Sequence, residues 1–262
     1  MTAWVHKPKP NSVARSRLFC IPFAGGSASV FQNWPEGLPG QIEVCALQMP
    51  GRQSHASAAP FNRMSPLVHA MCDALRDLLD LPYAIFGNCT GSLIAYEVAV
   101  RMGALDLRPP DQLIVSCSRA AHLPDRDAPI HALPRDELRA ELDRLGGTPE
   151  QVIAHPELLD LVLPVLRADF ELAETYRHRE RPALSVPIHA LYGQDDPIVS
   201  PEEVEGWGVL TDAGFSMKAL PGGHYLIDSH AEALLSAVTS ALSPGARPAR
   251  SDAVQAGATA SA

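Results

Sequence analysis

Residues 81–97 read LPYAIFGNCTGSLIAYE, and this stretch decides the fold. The apolar run that ends at Gly87 predicts a buried strand, and the apolar stretch over 93–102 predicts a helix buried on nearly all sides. Between them, Gly-Asn-Cys-Thr-Gly places a glycine two positions before and two positions after Cys89. A strand that turns sharply into a helix needs small residues there, because the helix begins so close to the strand. The stretch therefore predicts a strand, a strained turn with Cys89 at its tip, and a helix.

Two interpretations of Cys89 follow from this pattern. The aligned peptide dipoles at a helix N-terminus favour a thiolate, which makes Cys89 a candidate nucleophile. Most free cysteines are instead packed as small apolar side chains, and the local pattern allows this second interpretation as well. The choice between the two rests on residues elsewhere in the chain.

Composition limits the classes of protein to which the chain can belong. Its 262 residues, 46% of them hydrophobic, favour one α/β domain with a substantial core. The net charge of −9, with no dense Lys/Arg cluster, argues against nucleic acid or an anionic membrane surface as the main partner. Five scattered cysteines without a Cys-X-X-Cys pair indicate neither a disulfide framework nor a zinc site. With no apolar leader and no stretch that could cross a bilayer, we expect a soluble protein of the cytoplasm.

Strand and helix patterns alternate along the chain. Alternation implies right-handed crossover connections, so we expect an α/β fold with a mainly parallel sheet and helices on both faces. Besides the strand that ends at Gly87, the segments that favour strands are 17–23, 42–47, 112–117, 186–192 and 215–220.

The ends of the chain differ from this pattern. Residues 1–16 are polar and contain several prolines, which predicts a flexible, exposed N-terminal arm. Residues 17–242 form the predicted domain. Residues 243–262 are rich in Ala, Ser, Pro and Gly, which predicts a disordered tail.

A helical insertion is predicted within the domain, over about 119–181. Two amphipathic helices are expected there, over 134–145 and 156–178, the second interrupted at Pro164. Such an apolar insertion either packs on the sheet or forms a lid over a substrate channel.

The order of the candidate chemical groups along the chain is nucleophile, acid, histidine. Cys89 comes first, an aspartate follows a later strand, and His224 lies in a glycine-flanked loop after the last strand. This is the order expected of an α/β-hydrolase, and all three positions lie at the carboxyl ends of strands. We prefer Asp196 as the acid, with Asp195 as the alternative, because strand ends are predicted only to within a residue or so.

Each group has a chemical role in this interpretation. His224 would accept the thiol proton or hold a thiolate as an ion pair, and Asp196 would fix the tautomer of the ring. The N–H of Thr90, with one from the turn at Phe23 and Ala24, would stabilise an oxyanion.

Several stretches resemble the type II thioesterases of nonribosomal peptide and polyketide synthesis. They occur in the order of that family and span about 18–242: PFAGGSA (22–28), MPGR (49–52), LRADF (166–170), DDP (195–197) and GGHY (222–225).

The resemblance implies an α/β-hydrolase with a helical lid and no cofactor of its own. The partner it implies is an acyl or peptidyl carrier protein, whose phosphopantetheine arm carries the thioester to be cleaved. It also implies a nucleophile at Cys89, an acid at Asp196, a base at His224 and oxyanion amides at Ala24 and Thr90. No particular oligomeric state is predicted.

The sequence departs from the family where the nucleophile lies. The family usually has Gly-His-Ser-Met-Gly, and this chain has Gly-Asn-Cys-Thr-Gly. An acyl-cysteine is itself a thioester, so a second carrier thiol could collect the group reversibly. Hydrolysis of carrier-bound acyl or aminoacyl groups through Cys89 and transfer to another carrier both remain open. A third, less favoured alternative is an inactive partner that only binds carrier proteins.

Overall fold

The computed structural model describes residues 4–124, 126–243 and 248 of the chain. Its strands are β1 (Val5–His6), β2 (Ser16–Ile21), β3 (Ile42–Leu47), β4 (Tyr83–Asn88), β5 (Gln112–Ser116), β6 (Ile188–Gly193) and β7 (Phe215–Leu220). Over the described residues these seven strands form one sheet in the order β1-β3-β2-β4-β5-β6-β7. Every neighbouring pair is parallel except β1 with β3.

The helices cover both faces of this sheet. They are α1 (Trp34–Gly37), α2 (Met64–Leu75), α3 (Thr90–Ala104), α4 (Arg135–Leu145), α5 (Glu150–Ala154), α6 (Pro156–Glu174), α7 (Pro201–Glu205), α8 (Leu226–Ser229) and α9 (Ala231–Leu242). Short 3-10 turns lie at Ala28–Phe31, Gln53–His55, Arg76–Leu78 and Gly206–Leu210. The predicted α/β-hydrolase fold is confirmed.

Two apolar cores, one on each face, hold the helices to the sheet. On one face, α2 and α3 pack with Trp207 against β4 and β5, and Trp207 is fully buried. On the other face, α1 and α9 pack around Phe31, Trp34 and Phe86, whose rings are in mutual contact. Strand β4 is buried along its whole length, as its unbroken apolar run predicts.

The sheet order places β4 between β2 and β5. The register pairs Ile21 with Gly87 and Asn88 with Ser116, so these three parallel strands end side by side. The carboxyl edge of an open parallel sheet is where such folds place their ligands. Cys89, the residue after β4, lies at the centre of this edge.

The insertion between β5 and β6 is helical, as its sequence predicts. Helices α4, α5 and α6 share a small core of their own, which includes Leu138, Leu159 and Leu163. Contrary to the predicted interruption, α6 continues through Pro164. The buried leucines around Pro164 stabilise the helix enough to offset the backbone hydrogen bond that the proline cannot make.

The structure differs from the sequence-based expectation near the N-terminus. Residues 1–16 were expected to form an exposed arm, but Val5 is buried and β1 pairs antiparallel with β3. Lys7 and the N–H of Asn11 also bind the buried carboxylate of Glu43. Two residues of alternating pattern are too few to predict a strand from sequence.

Two further expectations concern the C-terminal tail and the possibility of a membrane-spanning helix. Apart from Ser243 and Pro248, the predicted tail lies outside the described residues. Among the helices of the described residues, none has both the length and the apolar character that crossing a bilayer requires.

Candidate active site

The turn after β4 holds Cys89 in a strained conformation. Its φ of 51° and ψ of −119° lie outside the regions that most side chains adopt, and it directly precedes the first residue of α3. A Cβ on Gly87 would overlap the backbone of Gly91 and Ser92. The predicted pair of small residues is therefore a steric requirement, as expected when a helix starts so close to its strand.

Hydrogen bonds to β5 hold this turn in place. The N–H of Cys89 donates to the carbonyl oxygen of Ser116 at 2.8 Å. The fully buried hydroxyl of Ser92 donates to the carbonyl of Gly87 at 2.8 Å and accepts the N–H of Ser116 at 3.2 Å. Ser92 thus joins the strand, the helix and the neighbouring strand, a role that its position in the sequence did not indicate.

His224 and Asp196 meet at the same edge of the sheet. His224 follows β7, Asp196 follows β6, and the His224 Nδ1 lies 2.8 Å and 3.1 Å from the two carboxylate oxygens of Asp196. Asp196 Oδ1 also accepts the N–H groups of Ile198 and Val199 at 2.8 and 3.0 Å. The side chains of Asp196 and His224 are 1% and 5% exposed, so little water competes for this contact.

The alternative acid, Asp195, has different surroundings. Asp195 is exposed, and its backbone N–H donates to the carbonyl of Gly222 at 3.0 Å. Asp196, the next residue, is the one whose carboxylate contacts His224. The structure therefore distinguishes the two aspartates by position.

The charges of the site favour a thiolate beside an imidazolium. Burial by itself opposes ionisation of Cys89, but the hydrogen bond and charge of His224, with hydrogen bonds from Thr90, lower the pKa of the thiol. Burial likewise disfavours a charged ring, yet Asp196 and the Cys89 thiolate raise the pKa of His224 to about 10. Burial opposes ionisation of Asp196 too, and the bonds from His224, Ile198 and Val199 lower its pKa.

The other cysteines have the opposite tendency. Burial raises the pKa of Cys72 to about 11, that of Cys45 and Cys117 to about 12, and that of Cys20 well above its ordinary range. Their thiols are buried, whereas Cys89 is partly exposed. Among the five cysteines, Cys89 is the one that is partly exposed and whose thiol pKa is lowered, which favours its interpretation as a candidate nucleophile.

The turn after β2 lies against the start of α3. A Cβ on Gly91 would overlap the carbonyl oxygens of Ile21 and Pro22, so the two segments touch through their backbones. The N–H of Gly26 donates to the carbonyl of Phe23 at 2.9 Å, and Gly25 has a φ of 78°. These are the features of a type II turn with Ala24 at its second position.

The N–H of Ala24, one of the two oxyanion candidates predicted from the sequence, has no hydrogen-bond partner within this turn. Within the described part of the chain, the N–H of Ala24 makes no hydrogen bond. The N–H of Thr90, at the first position of α3, is one of the groups that lower the pKa of the Cys89 thiol. Both residues named as oxyanion candidates therefore carry an N–H at the carboxyl edge of the sheet.

The insertion reaches this site at two glycines. A Cβ on Gly25 would lie 2.6 Å from Cδ2 of Leu166 in α6, and one on Gly147, after α4, would overlap the ring of Tyr225. The ring of Tyr225 contacts that of His224 edge-to-face, with 5.2 Å between centroids. The insertion is therefore packed against both the turn that carries Ala24 and the loop that carries His224.

The structure contains a buried ion pair next to the site that was not predicted from the sequence. Arg52 and Asp169 form a bidentate pair at 2.7 and 2.8 Å, and both also bind the turn at Gly25 and Gly26. Arg52 and Asp169 both belong to stretches that resemble the family, and this resemblance was the sequence feature that could have drawn attention to them. Their pairing across more than a hundred residues could not be seen in the sequence.

Over residues 4–124 and 126–243, no three His, Cys, Asp or Glu side chains come together as a metal site requires.

Comparison with known proteins agrees with this geometry. A family model described as a thioesterase domain matches residues 16–242. The chain belongs to the thioesterase family. It is 34% identical to the gramicidin S biosynthesis protein GrsT of Aneurinibacillus migulanus, over 86% of this chain and 88% of that protein.

Two solved thioesterases have closely similar structures. RedJ, a thioesterase from the prodiginine pathway of Streptomyces coelicolor, is 36% identical with a TM-score of 0.84, over 90% of this chain and 95% of RedJ. The type II thioesterase BorB from the borrelidin cluster is 35% identical with a TM-score of 0.83, over 91% and 97%. The family expected from the sequence is confirmed, and the role of the cysteine remains a prediction.

Proposed function

We propose that this thioesterase removes acyl or aminoacyl groups from carrier proteins of nonribosomal peptide or polyketide synthesis, through a covalent intermediate on Cys89. The observation that carries the proposal is the convergence of Cys89, His224 and Asp196 at the carboxyl edge of the sheet. The biosynthetic pathways of RedJ and BorB support this choice of substrate. The phosphopantetheine arm would arrive with the carrier, so the enzyme would need no cofactor of its own.

In the first half-reaction, the Cys89 thiolate attacks the thioester carbonyl carbon. The carbonyl oxygen gains a negative charge, which the N–H groups of Ala24 and Thr90 would stabilise. The intermediate then collapses, the pantetheine sulfur leaves with the proton of the His224 imidazolium, and the acyl group stays on Cys89. Asp196 keeps the ring oriented and stabilises its positive charge.

In the second half-reaction, neutral His224 takes a proton from water. The resulting hydroxide attacks the acyl-cysteine carbonyl, and the same two N–H groups would stabilise the new oxyanion. Collapse releases the carboxylic acid and restores the thiolate beside the imidazolium. The insertion α4–α6 would act as a lid, since it contacts the segments that carry Ala24 and His224.

The decisive experiment uses a carrier protein loaded with an acyl thioester. Release of free acid and of the carrier thiol is followed by mass spectrometry, with Cys89→Ala as the test variant and Cys72→Ala as the matched control. We expect Cys89→Ala to abolish release and Cys72→Ala to retain it, because Cys72 is buried in α2. Unchanged release by Cys89→Ala would contradict the proposal. Carrier binding by the wild type without turnover would instead support an inactive binding partner.

A second function, transfer between carriers, is favoured by the sulfur nucleophile itself. The acyl-cysteine is a thioester of nearly the same energy as the donor, so a second carrier thiol can take the group in a balanced exchange. Water attacks thioesters slowly unless a base activates it, so a thiol can compete with water for the acyl group.

The two functions separate when an unloaded second carrier is added. Transfer predicts that the acyl group moves to the second carrier and that little acid forms without it. Cys89→Ser should then shift the product toward free acid, because an acyl-serine is an oxygen ester and its transfer back to a thiol is uphill. Rapid acid release without the acceptor would count against transfer.

A further inference from the structure

Arg52 and Asp169 form a buried ion pair outside the set of residues that carries the proposed reaction. The two guanidinium nitrogens of Arg52 lie 2.7 and 2.8 Å from the two carboxylate oxygens of Asp169. Arg52 is 8% exposed and Asp169 is 4% exposed. Two charges removed from water gain little net stability from their mutual attraction, so stability alone is a weak reason for such a pair.

The pair binds the backbone of one turn at two points. Oδ2 of Asp169 accepts the N–H of Gly25 at 2.7 Å, and the carbonyl of Gly26 accepts a hydrogen bond from Arg52 at 2.9 Å. These contacts fix the half of the turn that directly follows Ala24. The N–H of Gly26 in turn donates to the carbonyl of Phe23 at 2.9 Å, and that carbonyl lies in the same rigid peptide plane as the N–H of Ala24, so the direction of this N–H is restricted.

The two residues of the pair come from different parts of the fold. Asp169 belongs to α6, which also presses Leu166 against Gly25, and Gly25 has no Cβ to obstruct it. Arg52 follows β3, and its own carbonyl accepts a hydrogen bond from the buried Gln48 side chain at 3.0 Å. The turn is therefore held both by the insertion and by the loop that follows β3.

We propose that Arg52 and Asp169 are positioning residues that orient the N–H of Ala24 toward the developing oxyanion. This inference rests on the proposed function, and it adds that the insertion takes part in the chemistry through α6. The pair touches no reacting atom. It should matter only in steps where a carbonyl oxygen gains charge.

The test compares two reactions of the same thiol. Alkylation of Cys89 by iodoacetamide forms no oxyanion, whereas acylation by a short-chain acyl N-acetylcysteamine thioester does. Asp169→Asn keeps the shape of the side chain and removes its charge. We expect thiol release in single-turnover acylation to slow about 10- to 100-fold, because a donor displaced by an ångström can cost that much. Alkylation should stay within about 2-fold with the same pH profile, since the thiolate and His224 are untouched.

Two further variants complete the design. Glu171→Gln changes a carboxylate of the same helix that binds Asn62 and Arg63 and not the turn, so both of its rates should match the wild type. Arg52→Lys keeps the charge but loses the planar two-point contact, and it should slow acylation selectively as well. It provides the same comparison if Asp169→Asn fails to fold.

The outcomes separate this inference from the proposed function. If wild-type Cys89 is never acylated, the proposed function fails. If the wild type is acylated, and Asp169→Asn and Arg52→Lys are both acylated as fast as the wild type, the positioning role is wrong while the proposed function stands. Equal loss of alkylation and acylation would show that the pair only maintains the general structure of the site.

Discussion

The charge state of Cys89 depends on one neighbouring ring. Burial raises the pKa of the thiol and His224 lowers it, so the balance reverses when the ring is removed. We expect His224→Gln to reduce the rate of iodoacetamide alkylation at pH 7 about 10-fold or more, because each unit of pKa changes the thiolate fraction about tenfold. In the wild type, the rate should stay near its maximum well below about pH 8.5, the ordinary thiol pKa.

Mass spectrometry of the alkylated protein provides the internal control for this measurement. The wild type should take up one label per chain under native conditions, because burial holds the pKa of the other four thiols high. Cys89→Ala should take up none. A pH profile shared by the wild type and His224→Gln would show that the ring does not set the thiol pKa.

The two adjacent aspartates provide a matched pair of variants. Asp196→Asn should lower turnover of an acyl thioester by up to about 10⁴-fold, because an amide can favour the wrong tautomer of His224 and cannot stabilise its charge. Asp195→Asn should remain within about 2-fold of the wild type, since Asp195 is exposed and the carboxylate bound to the ring is that of Asp196. Steady-state kinetics with one acyl thioester measures the turnover of both variants. Comparable losses in Asp196→Asn and Asp195→Asn would contradict the assignment of Asp196 as the acid.

Two glycines of helix α3, Gly91 and Gly103, provide another matched pair of variants. A methyl group on Gly91 would overlap the carbonyls that end β2, whereas one on Gly103 has nothing within 4 Å. Gly91→Ala should therefore lower the free energy of unfolding by about 1–3 kcal/mol or more, the usual range for overpacking. Gly103→Ala should raise it by up to about 0.5–1 kcal/mol, because Gly103 lies in the last turn of α3 and alanine is the better helix former. Urea unfolding measures both, and a stable Gly91→Ala variant would mean that the two segments can separate.

The elements that the sequence predicted well are those whose signals are local. The strand before Cys89, the turn at its two glycines and the helix after it all lie within one short stretch, and each has its own pattern. The insertion was predicted as helical for the same reason. Its second helix was predicted to break at Pro164, because a local rule takes no account of the buried leucines that stabilise α6.

Contacts between distant parts of the chain could be predicted only in part. Chain order and the carboxyl edge of the sheet were enough to expect Cys89 and His224 together, but not to choose firmly between Asp195 and Asp196. The pairing of Arg52 with Asp169 has no local signal at all. The backbone hydrogen bonds of the turn after β2 depend on three segments that meet only in the folded chain, so no local pattern predicts them.

The attachment of the N-terminal segment to the sheet also depends on a long-range contact, the buried carboxylate of Glu43. It accepts hydrogen bonds from Lys7 at 2.8 Å, from the N–H of Asn11 at 3.0 Å and from Arg17 at 3.0 Å. Burial favours the neutral acid, but these three donors together lower the pKa of Glu43. Its ionised form therefore stabilises the folded chain and holds β1 against β3.

The stability of the whole molecule should reflect this contact through its pH dependence. A carboxylate whose pKa is lower in the folded state contributes fully above its unfolded pKa of about 4.3, and the contribution is lost as the pH falls through the folded value. We expect Glu43→Gln to lower the free energy of unfolding by about 1.5–3 kcal/mol at pH 7, the range for hydrogen bonds to a charged group. Urea unfolding at pH 7, 5 and 3 should show the difference from the wild type shrinking at the lowest pH. Asp73→Asn, which breaks an exposed pair with Arg76, should change stability by less than about 1 kcal/mol throughout. A Glu43→Gln difference of the same size at pH 3 and pH 7 would mean that the lost shape of the carboxylate, and not its charge, accounts for the effect.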